Sequence, residues 1–111
     1  MNTNRVFLTH EPLRSSEHGL VPSFDLSGAM EHGKLEVLFP YRALFAPDAY
    51  ETMKSKLEDF DEENDVIFPC GHPASMLLVG HALGELGVKA IKVLMYDKRE
   101  KKNYPMRIDL W

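Results

Sequence analysis

Residues 65–88 read DVIFPCGHPASMLLVGHALGELGV: an apolar run, a Cys-Gly-His-Pro corner, then a longer apolar run. The first run, VIFPC, is short, apolar throughout and interrupted by Pro69, as expected of a strand covered on both faces. The second, Pro73 to Leu86, is longer than a strand usually runs and predicts a helix. Pro73 suits the first helical position and Gly87 the position just past the last. A strand that turns directly into a helix is half of a βαβ unit, and AIKVLMY at 90–96 supplies the second strand. This stretch therefore decides for a parallel sheet with right-handed crossovers. Gly80 and Gly84 lie one turn apart within the helix. Each costs roughly 1 kcal/mol relative to alanine, so the pair predicts close backbone approach to a sheet or a partner helix.

Working outward, the same alternation recurs. APDAYETMKSKLEDF at 46–60 predicts a helix with Pro47 at its first position and Asp48 and Glu51 at the positive end of its dipole. Tyr50, Met53, Leu57 and Phe60 recur at helical spacing and mark its buried face, leaving Lys54, Lys56 and Glu58 to water. LEVLF at 35–39, ended by Pro40, predicts a strand. DLSGAMEHG at 25–33 predicts a short helix capped by Asp25 or Ser27 and stopped by Gly33. Val6, Phe7 and Leu8 form a first strand with Thr9 and His10 at its end. Residues 11–24, EPLRSSEHGLVPSF, predict a long loop. After the fourth strand, DKREKKN is a charged turn and YPMRIDLW a final strand folded back as a hairpin. The predicted order is β-α-β-α-β-α-β-β: an α/β protein with a small, mainly parallel sheet, helices packed on it, and a C-terminal antiparallel hairpin, in one domain spanning 1–111.

The 111 residues are 44% hydrophobic and 27% charged, so a packed core is expected rather than disorder. The formal net charge of -4 makes nucleic acid an unlikely partner. The basic cluster of Lys98, Arg99, Lys101, Lys102 and Arg107 reads first as a solvated turn. One cysteine excludes an internal disulfide. MNTNRVFLTH lacks the apolar core of a secretion signal, and no apolar run approaches a membrane span. A cytosolic protein is expected.

Sheets of this kind hold ligands beyond the carboxyl ends of their strands. The residues predicted there are His10, Tyr41, Arg42 and the corner Cys70-Gly71-His72-Pro73, with Arg14 in the loop that follows His10. Gly71 permits a left-handed backbone, and the helix start offers N–H groups that attract anions and activate thiols. Cys70 with His72 would then be a nucleophile and base. The plainer reading is a buried cysteine ending a strand, with His72 capping the turn. A zinc site from His10 and His72 with Cys70 or Asp97 would need more ligands than the pattern offers, since no His-x-x-x-His or Cys-x-x-Cys occurs. No Walker loop, no Gly-x-Gly-x-x-Gly and no paired-carboxylate motif is present, which leaves the cofactor unknown. Six methionines and a terminal Trp111 are the kind of side chains that interfaces use, and an edge strand ending at Trp111 points to a homodimer. Against that stands the possibility that these side chains simply complete one small core.

The ordered set VFLTHEPLR, VPSFDLSGAMEHGKLEVLFP, GHPA and VLMYDKREKKNYPMRI resembles a family of small phage and prophage α/β proteins to which no reaction is attached. Its members carry a strand ending in Thr-His or Thr-Gln and a Leu-Ser-x-Ala-x-x-x-Gly segment. A Gly-Asp-Pro-Ala turn and a Trp-Asp-Arg hairpin follow. Here His72 stands where the family has Asp, and Tyr96 where it has Trp, so an activity that needs the acid would be lacking. The resemblance implies a viral accessory protein in the host cytoplasm, acting on a phage or host component. Two readings follow. One is a binding protein for an unidentified protein or small molecule. The other is an enzyme or nucleotide and phosphate binder using the strand-end cleft around Cys70-Gly71-His72-Pro73.

Overall fold

A computed structural model describes residues 4–110 of the chain. Seven strands and three helices follow in the order β1 (Arg5–His10), β2 (Leu13–Ser16), β3 (Gly19–Pro22), α1 (Ser27–Met30), β4 (Lys34–Phe39), α2 (Ala49–Lys56), β5 (Val66–Phe68), α3 (Pro73–Glu85), β6 (Ala90–Asp97) and β7 (Lys102–Asp109). Five strands form the main sheet in the order β4-β1-β5-β6-β7. β1 pairs in parallel with β4 and β5, β5 pairs in parallel with β6, and only β7 is antiparallel. The mixed α/β architecture and the closing hairpin are those expected.

The element order departs from the expected one in a single place. Residues 11–24 are not a plain loop: β2 and β3 pair antiparallel as a separate two-stranded hairpin. Its turn is closed by Ser16, whose hydroxyl donates to Gly19 O and accepts from His18 N. Neither strand has a fully buried residue, so the apolar alternation that reveals a half-buried strand is missing. α1 and α2 are also shorter than their patterns, whereas α3 runs from Pro73 to Glu85 with Leu86 as its C-cap, as expected. α2 runs over 49–56 because the flanking residues turn with i→i+3 bonds, Ala49 N to Ala46 O before it and Phe60 N to Leu57 O after it. Even so, Met53 and Leu57 are buried, as their spacing predicts.

Neighbouring strands align Phe7 with Ile67, and Ile67 with Val93. These side chains face α2 and α3 and form one core with Met53, Leu57, Val79, Ala82 and Leu83. The alternate residues Val6, Leu8, Val66 and Leu94 pack with Ala29 of α1 on the other face. β1 is covered on both faces and is buried from Val6 to His10. α3 meets the sheet through Val79, Ala82 and Leu83, which leaves its glycines outward. A Cβ on Gly80 or Gly84 would have no heavy atom within 4 Å, so the expected close approach at this pair is absent.

β7 is one edge of the sheet and is exposed from Tyr104 to Asp109, the apolar Tyr104, Met106 and Ile108 included. Pro105 lies near its middle and has no N–H to offer, as is usual for prolines in edge strands. This blunts the edge against pairing with a second copy. Trp111, on which the interface expectation also rested, lies outside the described residues. Among the described residues, no helix is long and apolar enough to cross a membrane.

Candidate functional site

β1 is flanked by β4 on one side and β5 on the other, so the chain reverses its direction of travel across the sheet at this strand. The carboxyl ends of β1, β4 and β5 carry His10, the turn starting at Tyr41, and the Cys70–His72 corner. Thr9 ties the first and third of these together. Its hydroxyl donates to Cys70 O at 2.6 Å and accepts from Cys70 N at 2.9 Å. With Thr9 buried, this pair of bonds fixes the corner to β1.

His10 locks the corner from the other side. His72 N donates to His10 Nδ1 at 3.1 Å, so Nδ1 must be an acceptor. Nε2 therefore carries the hydrogen and donates to Tyr41 O, also at 3.1 Å. Tyr41 N donates to Glu11 Oε1 at 2.9 Å. The backbone of Tyr41 is thus held at both N–H and C=O, and its ring stacks beside His10 with centroids 6.2 Å apart. Gly71 makes this geometry possible. Its φ is +78°, and a Cβ there would lie 2.4 Å from both His10 Cβ and His10 Nδ1.

The polar groups of the corner are engaged in its own hydrogen bonds. Cys70 is 5% exposed, and its thiol donates to His10 O at 3.2 Å. Burial pushes the thiol up from its ordinary value, the opposite of what activates a cysteine nucleophile. Both nitrogens of His10 are engaged, so it has no lone pair for a substrate. His72 caps α3: its Nδ1 accepts from Ala74 N at 3.0 Å. The helix start is likewise consumed. His72 N is bonded to His10, Pro73 has no N–H, Ala74 N is bonded to the cap, and Ser75 N donates to His72 O. The amides expected to cradle a phosphate are therefore spent within the turn. Among the described residues, no group of three or more His, Cys, Asp or Glu side chains is placed to hold a metal ion.

We expect Cys70 to resist iodoacetamide at pH 7 in the folded protein and to react at an ordinary thiol rate in denaturant. Mass spectrometry follows both reactions, and fast labelling of the folded chain would return Cys70 to the nucleophile reading.

What remains open to solvent is a shallow pocket of about 430 Å³ lined by His10, Tyr41, Arg42, Leu44, Phe45 and His72. Four of the residues expected at the strand ends, His10, Tyr41, Arg42 and His72, come together here. Cys70 is buried beneath the corner. Gly71 shapes the corner without lining the pocket. Arg14 is exposed on β2, paired with Val21 in the small hairpin, and does not line this pocket. Phe45 and Leu44 were not singled out from the sequence. Phe45 is 77% exposed and sets its ring edge-on to His72, with centroids 5.6 Å apart. The pattern PYRALF at 40–45 contains the signal: an apolar ring three residues after Arg42 in a turn, with no helical or strand period to bury it. Because Nδ1 of His72 is an acceptor, its Nε2–H and the Arg42 guanidinium are the polar donors that this face offers.

The model of one protein family matches residues 4–110, and that family is described as Phage Pam3 gp32-like protein. No curated protein and no solved structure matches the chain.

Proposed function

Because the chain belongs to the Phage Pam3 gp32-like protein family, a family of small phage proteins, we propose that it acts by binding rather than by catalysis. In this reading the strand-end face docks a segment of a partner protein. One observation carries it. The groups suited to acid–base or nucleophilic work are engaged in holding the corner, while an arginine and a phenylalanine stand exposed on a turn pinned at Tyr41. Tyr, Phe and Arg are the side chains enriched in protein interfaces, and a few of them supply most of the affinity. A rigid presentation lowers the entropy lost on docking. Arg42 and the His72 Nε2–H suit a carboxylate, and Phe45 and Leu44 suit an apolar side chain beside it. The partner segment is therefore acidic and apolar. The enzyme and phosphate-binding reading is the weaker one, since the α3 amides and Cys70 are occupied.

A photo-reactive phenylalanine analogue at position 45 tests this in infected cells. The expected result is one discrete crosslinked protein, absent when the analogue replaces Leu77 on the exposed side of α3. With that partner purified, Phe45→Ala should weaken binding by about 2 kcal/mol, roughly thirtyfold, as for a central interface aromatic. Arg42→Glu should weaken it at least as much. A crosslink from position 77 but not 45, or affinities unchanged in both variants, would overturn the proposal.

A further inference from the structure

A concavity larger than the strand-end pocket lies elsewhere, on the α1 face of the sheet. It encloses about 720 Å³ between the start of α1, the ends of β5 and β6, and the first residues of β7. That volume is in the range of small-molecule sites, and the position is again beyond the carboxyl ends of parallel strands. We propose that this cavity binds a phosphorylated planar heterocycle, with a nucleoside monophosphate as its simplest representative.

Its walls are sorted by chemistry. Phe24 and Phe68 lie nearly parallel, with centroids 5.7 Å apart and 13° between planes. Tyr96, 57% exposed, lines the same cavity from the end of β6. Three aromatic rings around one opening suit a flat ring system, and stacking of this kind is tolerant of which base is present. The two charge types then lie on different elements. Asp25 and Glu31 belong to the α1 side, whereas Lys101 and Lys102 belong to the hairpin. Asp25 Oδ1 accepts from Ser27 N at 2.9 Å, and that bond holds its carboxyl below the usual range, so it stays an acceptor. A ligand with donors at one end and a phosphate at the other matches this division: amino or sugar hydroxyl groups toward Asp25, phosphate toward the lysines.

The two sides are built to sit close together. A Cβ on Gly28 would lie 2.7 Å from Asn103 Nδ2, the tip of a side chain that can swing aside, so α1 and the hairpin meet here through Asn103. Lys101 has φ +53°, the one non-glycine residue with positive φ among those described. A left-handed residue of this kind commonly closes a short hairpin loop, here the one between β6 and β7. This proposal is independent of the docking face, which lies at different residues.

The test is a ¹⁵N NMR titration of the full chain with AMP, GMP, CMP and UMP, with adenosine and ribose 5-phosphate as controls. At least one nucleotide should give saturating shifts at Gly28, Tyr96 and Asn103 below about 5 mM, the range of a weak specific site. Adenosine and ribose 5-phosphate should each bind at least about tenfold more weakly. Tyr96→Ala, at an exposed position that leaves the core intact, should weaken nucleotide binding by about tenfold through lost stacking. Lys102→Ala should weaken the nucleotide but not adenosine. The proposal is overturned by the absence of saturating shifts at these residues. Equal binding of ribose 5-phosphate, an unchanged affinity in Tyr96→Ala, or shifts centred instead on Arg42 and His72 would overturn it as well.

Discussion

Gly71→Ala is expected to cost the protein about 2–4 kcal/mol, from a left-handed backbone worth roughly 1–2 kcal/mol and an overlap penalty of similar size. The overlap is with the ring that organises the site. A methyl group at this position would stand 2.4 Å from His10 Cβ and Nδ1, in a buried strand end with no room to yield. Relief requires His10 to swing away, which breaks the bonds to His72 N and Tyr41 O and frees the turn that carries Arg42 and Phe45. The loss should therefore appear twice, as a lower midpoint in urea and as weaker binding at the strand-end face. Gly87→Ala is the control: it has a similar positive φ and nothing within 4 Å of its Cβ position. It should cost only the backbone share and leave the face intact. Equal behaviour of the two variants would show that the contact with His10 is not what holds the corner.

Asp65→Ala should be comparably damaging for a different reason. Asp65 is 1% exposed, and its carboxylate accepts from Arg5 N, Arg5 Nε, Arg5 Nη2 and Asp61 N. It stands immediately before β5 and joins that strand's start to the start of β1. Arg5 also bonds Asp59 and lies 4.8 Å over the Phe7 ring, so both loop and core depend on its placement. Removing one partner of a buried pair typically costs about 3–5 kcal/mol, and the partial exposure of Arg5 reduces this to about 2–4. Asp65→Asn keeps the volume but loses the paired acceptance from the guanidinium, and should lie between wild type and Asp65→Ala. Urea unfolding of the three proteins tests the ranking. A cost below about 1 kcal/mol for the alanine variant, the level of an exposed pair, would contradict it.

The route from sequence to fold was clearest where one physical signal acted alone. VIFPC followed by Pro73 to Leu86 could hardly be anything but a strand turning into a helix, and it fixed the parallel character of the sheet. The β2–β3 hairpin was invisible because its strands bury almost nothing, so its ladder leaves no mark on the residue pattern. Gly80 and Gly84 misled for a related reason: a glycine pair reports a missing side chain, not what lies opposite. At the site, the strand-end rule brought His10, Tyr41, Arg42 and His72 to one place without any motif. It could not say how those groups spend their hydrogen bonds, because Thr9 and His10 lie 60 residues or more from the corner in sequence. The α1 cavity was equally hidden. Its rings come from Phe24, Phe68 and Tyr96, on three separate segments whose neighbours suggested a loop, a buried strand and a hairpin.

The docking face depends on His10 and His72 being structural, with the exposed residues left to bind. Long-range ¹H–¹⁵N NMR of the histidine rings at pH 8 reads this directly. Both should show the Nε2–H tautomer, with Nδ1 of each carrying the ¹⁵N shift of a hydrogen-bonded acceptor. An Nδ1–H tautomer at His10, or an equal mixture of the two forms at either ring, would mean that the corner is not locked and that a catalytic histidine is available after all.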